Sequence, residues 1–276
     1  QGTVNIVANE GTENVKANNK ATLSSVNVEG ATGKPAVLNL YEVEATADAI
    51  TVKNATLAVG SVLAATAPEI LKTASLDVTD LVAEDGASVL VGNDQAQGLV
   101  KVNKFSSKAG SIVFADPSWS TDPSLNTVSN ASGMAVAEVS GDINGTVAAG
   151  RNRSFAFGTD LATAQKMVEK VTTWGASATG AAVVVATPIA ISSTGMVIAD
   201  ASATSVSSLS GTAGSLTVAT NSALVVDQNA ATGTAPLVNG TVAFKTGSTL
   251  GIVNADEGKF TLASTVTDAT NATVVT

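Results

Sequence analysis

The chain reads as all-β: a parallel β-helix, a solenoid of stacked strands, with one amphipathic helix inserted near residues 159–174. Three observations predict it. The first is an internal repeat. Gly214-Ser215-Leu216-Thr217-Val218 aligns with Gly240-Thr241-Val242-Ala243-Phe244, and Asn221-Ser222-Ala223-Leu224-Val225-Val226 with Gly247-Ser248-Thr249-Leu250-Gly251-Ile252, every offset being 26 residues. Such a unit cannot bury its apolar face alone and is stable only when stacked on neighbours. The second is composition: 45% hydrophobic residues but only 3% aromatic and 13% charged. Thin layers of Ala, Val, Leu and Ile suit stacked strands better than a globule around large rings. The third is the density of short strand signals separated by Gly, Asn, Ser and Thr turns.

In chain order, residues 1–115 carry degenerate coils. Val4/Ile6, Leu23, Val26/Val28, Val37 to Leu40, Ile50/Val52, Leu57/Val59, Leu76/Val78, Val89 to Val91, Leu99 to Val102 and Ile112 to Phe114 read as runs of four to six residues. Glu10-Gly11, Glu29-Gly30, Asp85-Gly86, Gln97-Gly98 and Ala109-Gly110 are turns. Ala67-Pro68-Glu69-Ile70-Leu71-Lys72 has the form of one helical turn. Residues 116–176 depart from the stack. Asp116-Pro117-Ser118-Trp119-Ser120-Thr121-Asp122-Pro123 is loop chemistry, since each Asp-Pro step resists helix and ladder. Strands resume at Met134 to Val139, Ile143 to Val147 and Phe155 to Phe157.

Residues 159–174 then place Leu161, Ala164, Val168 and Val171 on one stripe, flanked by Met167 and Trp174. Thr159 or Asp160 suits the start and Gly175 the end. Residues 177–276 return to regular coils, so the three stretches form one continuous solenoid. With coils about 4.8 Å apart, ten or so would build a rod near ~50 Å long. The rival architecture is a row of immunoglobulin-like sandwiches, which keep an aromatic in each core. Tyr41, Trp119 and Trp174 do not mark three equivalent cores. The two architectures differ on one point: a solenoid sets Leu224 above Leu250, whereas sandwiches put them in unrelated cores.

A net charge of −9 and the lack of any Lys/Arg cluster argue against nucleic acid as a partner. With no Cys and no His, disulfides, thiolate nucleophiles, Ser-His-Asp relays and the usual zinc sites are excluded. No apolar run is long enough for a membrane-spanning helix. Gln1 opens into strand-like residues without an initiator Met, which reads as a processed product or an excised segment.

No catalytic, cofactor-binding or metal-binding residue is expected. The carboxylates Glu10, Glu13, Glu29, Asp48, Glu84, Asp85 and Asp94 read as solvated turn residues, and Gly141-Asp142-Ile143-Asn144-Gly145 as an Asn-Gly turn lacking the ligands of a calcium loop. Asn-x-Ser/Thr triplets begin at Asn54, Asn130, Asn144, Asn152, Asn239 and Asn271. Arg151-Asn152-Arg153 reads as a solvated basic loop. The ligand-contact candidates are Asp116, Trp119 and Asp122, because an exposed Trp on a loop is costly unless used. The alternative is that Trp119 folds back on the core.

The Gly-Ser-Leu-Thr-Val and Asn-Ser-Ala-Leu-Val-Val coils, with the run from Thr246 to Leu262, resemble the passenger region of bacterial autotransporters of the AIDA and antigen 43 type. The likeness is clearest over residues 177–276. It implies a right-handed β-helix, linkage to an outer-membrane β-barrel, and an extracellular role at the cell surface in adhesion, self-aggregation or biofilm. The expected partners are a host glycan, a matrix protein or a second copy. A non-enzymatic adhesin is therefore the leading expectation. A β-helical polysaccharide-degrading enzyme and a structural surface-layer or fibre spacer are the alternatives.

Overall fold

Leu224 is paired in register with Leu250, and Leu216 with Val242, as the repeat requires. The computed structural model describes residues 3–7, 20–31, 33–41, 43–60, 72–92, 96–115, 133–172, 180–231, 233–256, 258 and 260–276. The helical turn read at 67–72 and the Asp-Pro loop therefore lie outside the described residues, except that Lys72 opens a strand.

The strands are β1 (Thr3–Val7), β2 (Lys20–Glu29), β3 (Ala36–Tyr41), β4 (Glu44–Lys53), β5 (Ala55–Val59), β6 (Lys72–Ala83), β7 (Ser88–Val91), β8 (Ala96–Ser107), β9 (Ile112–Ala115) and β10 (Gly133–Val139). They continue as β11 (Thr146–Ala149), β12 (Arg153–Phe157), β13 (Ala181–Val185), β14 (Ile189–Ala190), β15 (Met196–Ala199), β16 (Ser215–Val218), β17 (Ser222–Asp227), β18 (Pro236–Phe244), β19 (Ser248–Val253), β20 (Thr261–Thr267) and β21 (Ala272–Val275). Among the described residues the one α-helix, α1 (Leu161–Val171), falls between β12 and β13.

Every strand ladder is parallel. One sheet stacks β1, β3, β5, β7, β9, β11, β15, β16, β18 and β20; the other stacks β2, β4, β6, β8, β10, β12, β13, β17, β19 and β21. A single hydrophobic cluster runs between them from Val28 to Ala263. Tandem sandwiches are thereby excluded, since they are antiparallel with separate cores. The aromatics inside are Phe: Phe105, Phe155, Phe157 and Phe244 are essentially fully buried, and the Phe155 and Phe157 ring centroids are 4.9 Å apart.

In the first half the strands of the second sheet are longer than the expected four to six residues, reaching 12 in β6 and β8. Their burial explains why. In β4 the inward residues are Ala45 and Ala47, then Ile50 and Val52, with Asp48 and Ala49 both facing out. The same double outward step recurs at Thr79-Asp80 in β6 and Asn103-Lys104 in β8. Two consecutive outward residues let a strand turn a corner while its inward column continues, so each long strand covers two sides of the coil. Nearer the C-terminus the third side is carried by β14, which pairs Ile189 with Val238 of β18, and by the isolated Ile143–Ile191 bridge. The strand read at 143–147 is thus this bridge followed by β11 from Thr146.

Other corners use left-handed Asn. Asn54 (φ 45°) alone joins β4 to β5, and Asn152, Asn221 and Asn254 adopt the same region. Asn reaches it at lower cost than other side-chain-bearing residues. The Asn54 amide donates to the Asp85 carbonyl of the next layer at 3.1 Å, and the Asn221 amide to Gly247 at 3.1 Å, so the corners are hydrogen-bonded rung to rung.

Two excursions interrupt the winding. Between β12 and β13 the chain forms α1 and re-enters the same sheet, and the described residues there add no strand to the first sheet. Between β15 and β16 it forms a loop with a single 3-10 turn, Val206–Ser208, and skips the second sheet. One omission offsets the other, and the two sheets are in phase again from β16 and β17 onward.

Helix α1 is shorter than its sequence stripe at both ends: Asp160 rather than Thr159 caps its start, and Thr172, in extended backbone, caps its end after Val171. The Asp160 carboxylate accepts from the Thr163 amide at 2.9 Å and the Thr163 hydroxyl at 2.7 Å. These bonds hold its carboxyl below the usual carboxylate range. Residues 173–179, with Trp174 and Gly175, lie outside the described residues. Ala164, Met167, Val168 and Val171 pack on Ala135, Ala156, Ala182, Val184, Ala223 and Val225, the outward residues of the second sheet. Close approach depends on small residues beneath: a Cβ on Gly251 would stand 2.4 Å from a Val171 methyl.

Candidate functional site

The outer side of β2, β4, β6 and β8 is an exposed polar surface. Alternation that sends Ala45, Ala47, Leu76 and Val78 inward sends Thr22, Thr46, Asp77 and Lys101 outward into one column. A neighbouring column holds Lys20, Glu44 and Ser75, and at the bend Asp80, Lys104 and Glu138 stand in register. Side chains in a column are separated by the interstrand spacing of about 4.8 Å, so opposite charges meet directly.

Among the described residues three such pairs form. Lys53 Nζ donates to Glu29 Oε1 at 2.9 Å, Lys101 Nζ to Asp77 Oδ2 at 2.8 Å, and Lys20 lies 3.9 Å from Glu44. The hydrogen bond and charge of Lys53 lower the Glu29 carboxyl pKa, and Glu29 raises that of Lys53 in return. All six side chains are about half exposed or more, which makes them surface pairs of modest energy that keep the face charged yet locally neutral.

The sequence candidates Asp116, Trp119 and Asp122 lie outside the described residues, as do Glu10, Glu13 and Asp94. Of the other carboxylates, Asp48 and Asp85 are exposed at corners, and Glu84 is half-buried beside Lys53. The described triplet asparagines are corner pieces. Besides Asn54 and Asn152, the Asn144 amide donates to the Ser107 and Asp142 carbonyls at 3.3 and 2.8 Å. Asn271 donates to the Phe244 carbonyl at 3.2 Å, and Asn239 accepts from Ser264 at 3.0 Å.

The basic triplet is not a solvated loop. Arg153 is only 6% exposed as the first residue of β12, because the left-handed turn at Asn152 sends the chain directly into the sheet. Arg151 Nε donates to the Ala201 carbonyl at 3.3 Å, tying this corner to the second excursion.

The charged columns carried a sequence signal that strand-by-strand reading misses. Lys20/Glu44, Glu29/Lys53, Asp77/Lys101 and Asp80/Lys104 are opposite charges at one spacing, 24 residues, the coil length from β2 to β4 and from β6 to β8. Among the described residues no group of His, Cys, Asp and Glu gathers closely enough to hold a metal ion, and no helix is long and apolar enough to cross a membrane. Compared with family models, curated proteins and solved structures, the chain finds no match.

Proposed function

We propose that this chain is a cell-surface adhesive segment that attaches to a host glycan, a matrix protein or another copy through the polar outer side of its solenoid. The observation that carries the reading is the set of in-register columns of Thr, Asp, Lys and Glu across β2, β4, β6 and β8. A flat periodic row offers many weak polar contacts to a periodic partner, and such contacts add through avidity without a deep pocket. The autotransporter-like coils support the same reading and extend it to an extracellular location, in a full-length protein that carries an outer-membrane barrel.

The test is display of the chain on cells or beads, read by clumping and by attachment to glycan and matrix panels. Binding that exceeds the undisplayed control and falls when Thr22, Thr46, Asp77 and Lys101 are replaced by Ala is expected. Display without any gain in clumping or attachment ends the proposal. A second reading, a structural spacer or fibre element, draws on the unbroken core, and it predicts ordered assembly without ligand capture.

A further inference from the structure

The sequence holds three sulfur atoms, the thioethers of Met134, Met167 and Met196, and no Cys. They differ in access. Met134 is fully buried in the core and Met167 is 6% exposed under α1, whereas Met196 is partly exposed on the outer side of the first sheet. There it stands between Thr146 and Ser215, in the column that passes through Ile112.

Met196 is also part of the bed on which the second excursion lies. Val206 and Leu209 of that loop share one apolar cluster with Met196, Phe114, Ala148 and Ile198. The exposed Gly211 lies directly on this bed: a Cβ there would stand 2.7 Å from Ile198 Cδ1 and 3.6 Å from Met196 Sδ. Among the described residues the hydrogen bonds of residues 204–209 close within the loop. The Ser208 hydroxyl accepts from the Thr204 and Ser205 amides at 3.0 and 3.1 Å and donates to the Ser205 carbonyl at 2.8 Å. Bonds to the coils are made at the two ends, from the Ala201 amide to Ser222 Oγ at 2.9 Å and from the Gly214 amide to the Gly195 carbonyl at 2.8 Å. Among those residues the middle of the loop is therefore held to the sheet by apolar contact, and Met196 supplies part of it.

We propose that Met196 is an oxidation site and that its sulfoxide releases the middle of this loop from the first sheet. The oxidant is a two-electron oxygen donor, of which hydrogen peroxide is the simplest. A lone pair of Sδ attacks one peroxide oxygen, and the S–O bond forms as the O–O bond breaks. The proton of the transferred oxygen passes to the departing hydroxide, which leaves as water; sulfur is oxidised by two electrons and the peroxide reduced by the same two. The product is a polar side chain in place of an apolar one. Its oxygen needs water or a donor, and the bed of Ile112, Ile198, Val206 and Leu209 offers neither from its side chains, so the lifted loop is favoured. Lifting uncovers Ile198, which is 1% exposed beneath the closed loop. This goes beyond the proposed surface role, since the switch operates whatever the polar side binds.

The experiment exposes the 276-residue chain to dilute hydrogen peroxide, following each methionine by peptide mass spectrometry and the backbone amides by hydrogen exchange. Met196 is expected to oxidise at least about tenfold faster than Met134 or Met167. Residues 204–211 are then expected to exchange at least about fivefold faster, while β16 and β17 stay protected. M196L keeps the apolar volume without a sulfur and is expected to hold the loop closed in peroxide. M196Q puts a polar group at the same place and is expected to open the loop with no oxidant present. If M196Q does not fold, seen as lost protection in β16 and β17, wild type against M196L decides the matter. Oxidation of Met134 or Met167 as fast as Met196 overturns the inference. So does complete conversion of Met196 with loop exchange unchanged, or a loop that opens equally in peroxide-treated M196L.

Discussion

The outer side of the second sheet has two chemistries. Over β2 to β8 it is Thr, Asp, Lys and Glu, open to water; over β12 to β19 it is Ala156, Ala182, Val184, Ala223, Val225 and Gly251, closed under α1. The inward columns are alike in both halves, aliphatic with an occasional Phe. The contrast teaches that core and surface are written on alternate residues and vary independently. A run such as Ala181-Ala182-Val183-Val184-Val185, buried at every position, marks where an outside element has landed.

The comparison can be broken most severely at its matched positions. Val225→Lys buries a charge under α1 and is expected to destabilise by at least about 3 kcal/mol, whereas Thr46→Lys, in the same column on the open half, stays within about 0.5 kcal/mol, both read by denaturant midpoint. Val168→Asp on the helix is expected to cost about 3 kcal/mol of docking and to speed hydrogen exchange in α1 while the β4 and β6 amides stay protected. Gly251→Val overpacks the contact with Val171, with an expected loss of about 1–3 kcal/mol and the same local exchange signature.

Asp160→Ala removes the helix cap for about 1 kcal/mol. Because the folded carboxyl lies below its ordinary value of 3.8, the wild-type benefit is complete above that value and fades as pH falls through the folded one, so the variant's deficit vanishes in acid. The smallest effect is on the open half. Glu29 is lowered from 4.5 and Lys53 raised from 10.5, so their pairing is present between those values and lost in acid as Glu29 protonates or in base as Lys53 deprotonates. Glu29→Gln is expected to shift the melting temperature less than Asp160→Ala does, and salt to abolish the difference.

The stacking was legible where turn lengths repeat, as they do between the coils carrying Leu224 and Leu250. It was not legible by subtraction elsewhere. Ser75 sits on Glu44 but Gly133 on Leu99, because stacking fixes the side-chain column and leaves the turn free to vary. The bends were hidden because Asp48-Ala49 and Asn103-Lys104 look like strand ends when they are outward corners. The partner of α1 was hidden because its floor is built of Ala, Val and Gly drawn from five strands. The charged columns were recoverable from the 24-residue spacing of opposite charges, which a search for clusters along the chain passes over.

The matched excursions impose a parity rule on any change to this molecule. A strand of the first sheet put in place of α1, or one of the second sheet put in place of the loop after Asp200, is expected to shift one wall by a rung against the other, and both changes together to restore the count. Lengthening or shortening such a rod is therefore possible only in whole windings or in compensating halves, much as a reading frame tolerates insertions only in complete codons.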